Sequence, residues 1–91
     1  MYQVPEGWEE KPFKGYKDLV EISAPDKAGF VTVDFGKREF RAGYTVHGKA
    51  DSTKAYAGRG WRDELRSDAV AWLANIVREI KDRHRKPAAA A

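Results

Sequence analysis

The chain has 91 residues, of which 42% are hydrophobic and 34% charged, and its formal net charge is +3. This length suits one domain, the composition excludes a wholly disordered chain, and the absence of cysteine excludes disulfides, thiolate metal sites and cysteine nucleophiles. The sequence shows neither a signal-peptide apolar region nor ~20 consecutive apolar residues. We therefore expect a soluble, cytoplasmic protein with no membrane partner.

The N-terminal segment, residues 1–15, contains two prolines and two glycines, which argues against a regular element. We expect it to be an irregular arm whose Trp8 and Phe13 pack on the body of the protein. Residues 16–86 are predicted to form a single α+β domain. Residues 87–91 are expected to be a disordered tail or an addition from cloning.

A first β-strand is predicted at residues 16–23, where apolar and polar side chains alternate in part. The segment that follows, residues 24–29, has the composition of a turn. Its proline fixes φ, its aspartate hydrogen-bonds to nearby backbone, and its glycine accepts a positive φ. These features predict one strand and one turn ahead of the main β region.

The clearest β signal is the strict alternation over residues 30–46. Gly36 and the residue after it would form a two-residue type II′ hairpin turn, which places Val33 opposite Phe40. This register also places Asp34 opposite Glu39, which argues against DNA binding by the outward face. The large apolar side chains predicted to share the covered face are Val31, Val33, Phe35, Phe40, Tyr44 and Val46.

Residues 47–60 are polar, contain three glycines and are predicted to form a long loop, with a short edge strand around residues 54–57 as an alternative. Loops of this length in compact domains are functional or mobile. A helix is predicted from residue 62 to about residue 85, before Pro87, and would be roughly 35 Å long at ~1.5 Å per residue. Its apolar stripe consists of Trp61, Leu65, Ala69, Trp72, Leu73, Ile76, Val77 and Ile80.

The predicted fold is therefore a three-stranded, or four-stranded, antiparallel β-sheet packed against one long C-terminal α-helix in the order β-β-β-α. The helix exceeds the length that such a sheet needs, so we expect its last turns to project. Its two tryptophans, eleven residues apart, lie on the same face and are interpreted as core residues.

The sequence contains no convincing catalytic or metal-binding group of residues. His47 and Asp51 form a pair that chance easily supplies, and His84 lies in the basic helix end. Gly58 and Gly60 precede the helix, where backbone N–H groups bind anions, although a sharp entry into the helix explains them as well. No catalytic residue, metal or cofactor is predicted, and an enzyme is the third interpretation.

The positive charge is concentrated in the second half of the chain. Residues 1–46 hold 7 basic and 8 acidic residues, whereas residues 47–91 hold 10 and 6. The basic tail accounts for much of this excess. We predict a non-enzymatic binding module that contacts nucleic acid, or a nucleic-acid-handling protein, through the 47–60 loop and the helix start, with phosphate contacts of low sequence specificity. The predicted contact residues are Lys49, Lys54, Arg59, Arg62 and Arg66.

The alternative function is a protein–protein adaptor or inhibitor, which includes a homodimer. It depends on apolar residues that widen the helix stripe beyond what a small sheet covers. The residues predicted for this surface are Val70, Ala71 and Ala74.

The β-β-β-α order resembles the strand–helix part of double-stranded-RNA-binding domains. Such domains carry a lysine cluster at the start of their last helix, whereas this helix begins Gly60-Trp61-Arg62-Asp63-Glu64, with two acids in place of lysines. A first helix is also absent from the proline-containing arm. The resemblance concerns topology alone and transfers no site residue.

A second resemblance covers more of the chain. The strand-rich start, the segment Tyr56-Ala57-Gly58-Arg59-Gly60-Trp61 and the helix containing Asp68-Ala69-Val70 are similar to small uncharacterised proteins carried by phages and prophages. This resemblance implies a compact accessory protein that binds another macromolecule without catalysis, and it assigns no functional residue.

Overall fold

The computed structural model describes residues 2–49, 56 and 58–85. These residues form an α+β domain in which an antiparallel sheet packs against one C-terminal helix, as predicted. The sheet has five strands in the described part of the chain, not three or four, and they lie in sequence order. The elements are β1 (Glu9–Pro12), β2 (Leu19–Ser23), β3 (Phe30–Asp34), β4 (Glu39–Ala42), β5 (Thr45–Lys49) and α1 (Trp61–Arg85).

Strand β1 lies inside the arm that was expected to be irregular. It pairs with β2, with Glu10 opposite Ile22, and all four of its residues are exposed. A proline is tolerated here because an edge strand leaves part of its backbone without a ladder partner. Elsewhere in the arm, Tyr2, Val4 and Trp8 pack against the core.

The β3–β4 hairpin has the predicted register, with Val33 opposite Phe40. Its turn differs from the prediction. The turn covers residues 35–38, and Arg38, not Gly36, adopts a left-handed backbone with φ of 54°. The side chain of Asp34 stabilises this turn, since its Oδ1 accepts a hydrogen bond of 3.0 Å from the backbone N–H of Lys37.

The chain reverses again at Gly43, where the sequence predicted a continuous strand. Gly43 has φ of +62° and the residue after it is not left-handed, the pattern of a type II′ turn. Consequently Tyr44 is 98% exposed and Val46 is 37% exposed, so neither joins the covered face as predicted. Residues 47–49 belong to β5 and not to a loop. The proposed edge strand at 54–57 falls largely outside the described residues, and Tyr56 is in no strand.

Helix α1 has the predicted extent and covers one face of the sheet, mainly over β3. Residues 78–83 are exposed, as a projecting end requires. The buried apolar core consists of Ile22, Ala24, Val31, Val33, Phe40, Tyr56, Leu65, Ala69, Val70 and Leu73. No helix in the described part of the chain is long and apolar enough to cross a membrane.

Candidate nucleic-acid interface

Trp61, the first residue of α1, lies at the centre of a group of cations and aromatic rings. The guanidinium carbon of Arg38 lies 4.3 Å from the centre of the indole, and that of Arg62 lies 4.8 Å from it. The ring of Phe35 meets the indole edge-on at 6.2 Å. Cation–π contacts of this kind hold a guanidinium group in place while its N–H donors remain available. We call Lys37, Arg38, Arg59, Trp61 and Arg62 the Trp61 cluster.

Arg38 is fixed by the chain that precedes the helix. Its Nη1 donates a 2.8 Å hydrogen bond to the backbone carbonyl of Tyr56, which is buried. The Tyr56 hydroxyl in turn donates to Asp68 Oδ2 at 2.7 Å. Burial, this hydrogen bond and the negative charges of Asp68 and Glu64 raise the pKa of the Tyr56 phenol well above its ordinary value. The β3–β4 turn and α1 are thereby tied together through one buried residue, which accepts from Arg38 with its carbonyl and donates to Asp68 with its hydroxyl.

The entry into α1 exposes two further arginines. Gly58 and Gly60 have φ of +84° and +83°, which an L side chain rarely adopts. The carbonyl of Gly60 accepts the first helical hydrogen bond, 3.1 Å from the nitrogen of Glu64. This sharp entry leaves Arg59 and Arg62 exposed on either side of Trp61.

Arg66 was predicted to contact nucleic acid, but its charge is already paired. Its Nε lies 2.9 Å from Glu10 Oε1 and its Nη1 lies 3.2 Å from Asp63 Oδ1. Its guanidinium group also lies over the ring of Phe35, at 4.7 Å. Two carboxylates and a ring therefore hold Arg66 as a tie between β1, the β3–β4 turn and α1, which makes it a poor phosphate ligand.

Of the two other predicted contact residues, one belongs to the described part of the chain. Lys49 is exposed at the end of β5, opposite Glu39, and already interacts with another group. Lys54 lies outside the described residues. Sequence reasoning missed Lys37 and Arg38, because their position beside the helix start depends on tertiary structure. The feature of the sequence that could have indicated these two residues is the basic pair that they form in the β3–β4 turn.

His47 takes part in a separate ring stack on β5. Its imidazole lies 4.0 Å from the Trp72 ring at an interplanar angle of 29°, and the Phe40 ring lies 6.1 Å from Trp72. These contacts dock β5 against the helix. Among the described residues, no three His, Cys, Asp or Glu side chains group as a metal site.

The surface predicted for a protein partner is narrower than expected. Val70 is only 6% exposed and belongs to the core, so it is not part of an exposed flank. Ala71 is exposed, whereas Ala74 lines a groove of about 350 Å³ that also includes Trp8 and Val77.

Comparisons with protein-family models, with curated proteins and with solved structures found no match. The functional argument therefore depends on the contacts, burial and charges of this chain.

Proposed function

We propose that this protein is a small non-enzymatic module that binds nucleic acid through the Trp61 cluster. One observation carries the proposal: guanidinium groups from two separate elements, Arg38 and Arg62, lie over the same indole. In the described part of the chain, no carboxylate forms an ion pair with either of them. Lys37, next to Arg38 in the sequence, and Arg59, two residues before Trp61, add exposed charge.

This arrangement suits phosphate groups. Arginine presents several N–H donors in a fixed plane that matches phosphate oxygens, and contacts to the indole limit the side-chain freedom lost on binding. Such contacts position a nucleic acid without reading its bases. We therefore expect binding of low sequence specificity that weakens steeply with salt.

The expected salt dependence follows from the four cations of the cluster. If these cations neutralise about four phosphates, the affinity for nucleic acid should fall roughly 50- to 150-fold between 50 and 200 mM salt. Fluorescence anisotropy with a labelled mixed-sequence 20-mer measures this loss directly. Absence of binding at 50 mM salt would exclude the proposal.

Substitutions locate the site. Arg62→Ala should weaken binding several-fold and reduce the salt slope by about one phosphate contact. Arg78→Ala is the matched control, because Arg78 is an exposed arginine of the same helix more than four turns further on. Equal effects of the two substitutions would show that binding is not localised at the Trp61 cluster.

A second candidate function is a protein–protein adaptor, which one observation favours: the groove that Ala74 lines between the arm and α1. A homodimer through this groove would be disrupted by Ala74→Asp, which sedimentation velocity detects as a shift from dimer to monomer. A wild-type protein that sediments as a monomer at all concentrations would exclude self-association.

A further inference from the structure

The end of the sheet that carries the Trp61 cluster also carries the β1–β2 loop. In an antiparallel meander, the connections β1–β2 and β3–β4 lie at the same end. A hydrogen bond joins the two, from the backbone nitrogen of Phe35 to the carbonyl of Asp18 at 2.9 Å. Phe35 also contacts Trp61, so loop, turn and helix start form one continuous surface.

The β1–β2 loop presents an aromatic ring to solvent from a well-bonded backbone. The nitrogen of Tyr16 donates to the carbonyl of Phe13 at 3.1 Å, and the nitrogen of Phe13 donates to the carbonyl of Leu19 at 3.1 Å. Gly15, with φ of +88°, permits the tight turn between them. The Tyr16 side chain nevertheless remains 62% exposed, with exposed Lys14 and Lys17 on either side.

The charge on this surface is mainly positive. Within the described ranges, no carboxylate forms an ion pair with Lys14, Lys17 or Lys37. Two carboxylates of the loop and the turn oppose them, since Asp18 and Asp34 both lie near Gly36. The helix start adds Asp63, which pairs with Arg66, and Glu64. An exposed aromatic ring among unpaired cations is the combination that proteins use to bind single strands, where bases stack on rings and cations follow the phosphates.

We infer that the nucleic acid bound at the Trp61 cluster is single-stranded and extends over the β1–β2 loop, where one unpaired base stacks on Tyr16. This inference rests on the proposed function and specifies its ligand. Arg38 and Arg62 already contact the Trp61 ring, which leaves Tyr16 as the exposed ring at this end of the described structure. A base inside a duplex does not offer its face for stacking, so the ring selects single strands.

The test compares a labelled thymidine 20-mer with a labelled 20-base-pair duplex, at 50 mM salt, by fluorescence anisotropy. Wild type should bind the single strand more tightly. Tyr16→Ala should weaken single-strand binding by about 5- to 150-fold, the range found when stacking on an aromatic residue is removed. Tyr16→Phe should retain wild-type affinity. Tyr44→Ala, at a tyrosine that is 98% exposed on the opposite end of the sheet, is the matched control.

A second substitution tests the path of the bound single-stranded nucleic acid over the protein surface. Asp18→Asn removes one of the two carboxylates of the loop and the turn and should tighten single-strand binding, with a smaller effect on the duplex. Equal affinity for duplex and single strand, together with no effect of Tyr16→Ala, would overturn this inference. The salt dependence and the Arg62→Ala effect would then still support nucleic-acid binding. No binding of either oligonucleotide would overturn both proposals.

Discussion

Gly48 in β5 is a position where a single methyl group should destabilise the fold. A Cβ atom placed there would lie 2.6 Å from Cδ1 of Phe40, 3.0 Å from Cζ, and closer still to Cε1. Carbon atoms pack at ~3.5–4.0 Å, so the ring or the strand must move by roughly 1.5 Å. Phe40 is only 4% exposed, and its ring lies 6.1 Å from Trp72 across the interface with the helix.

The expected cost follows from this crowding. Overpacking of a core costs about 1–3 kcal/mol, and the reduced freedom of the unfolded chain returns ~0.4–1 kcal/mol when alanine replaces glycine. We therefore expect Gly48→Ala to lower the free energy of unfolding by about 1–2 kcal/mol. For a domain of this size, that corresponds to a fall of about 5–15 °C in Tm.

Urea unfolding followed by circular dichroism and tryptophan fluorescence measures this change. Gly36→Ala makes the same chemical change where the nearest atoms are side-chain oxygens, 3.3 and 3.5 Å away, and should cost no more than about 0.5 kcal/mol. In a Phe40→Leu background, Gly48→Ala should cost less than half as much, since a smaller side chain relieves the clash. An unfolding free energy unchanged by Gly48→Ala would refute the reasoning.

Three further predictions concern buried and paired side chains. In the folded wild type the pKa of the Tyr56 phenol is raised, whereas in the unfolded chain this phenol ionises near pH 10, so the free energy of unfolding should fall above pH 10. Tyr56→Phe should make this fall smaller in urea titrations. Val70→Asp should prevent folding or cost at least about 3 kcal/mol because the site is buried, whereas Ala71→Asp should stay within ~0.5 kcal/mol by the same titration; equal effects would contradict the packing described. Arg66→Ala should destabilise the protein by about 1 kcal/mol, because the ion pair with Glu10 is lost. It should leave the salt slope of nucleic-acid binding unchanged, and a reduced slope would mean that Arg66 contacts phosphate.

The helix could be predicted because its signal is local. Leu65, Ala69 and Leu73 recur at helical spacing and are all buried, and glycine and proline mark the ends. Strand β1 could not be predicted in this way. Its sequence, Glu-Glu-Lys-Pro, has no apolar alternation, and it is a strand because its backbone pairs with β2.

The division between β4 and β5 shows a second limit. A two-residue turn reverses the parity of an alternating pattern, since Ala42 pairs with Thr45 and Arg41 pairs with Val46. The alternation of Ala42, Tyr44 and Val46 in the sequence therefore predicted one continuous strand, although the chain reverses between the first and the last of them. A glycine that could begin a two-residue turn occurs at Gly36 and at Gly43, and of these two Gly43 alone adopts a positive φ. The candidate site could be predicted only in part. Arg62 lies next to the helix start in the sequence, whereas Arg38 lies beside it only in the folded structure.

The order of the strands also has a kinetic consequence. In the part of the chain that the structure describes, every strand pairs only with a neighbour in sequence, across short connections, so the sheet requires few distant contacts. Proteins dominated by local contacts fold faster than β-proteins with distant pairings. The apolar face of the sheet, however, stays in contact with water until α1, the last element in chain order, docks on it. Folding of this chain should therefore proceed by successive hairpins, with helix docking as the step that closes the core.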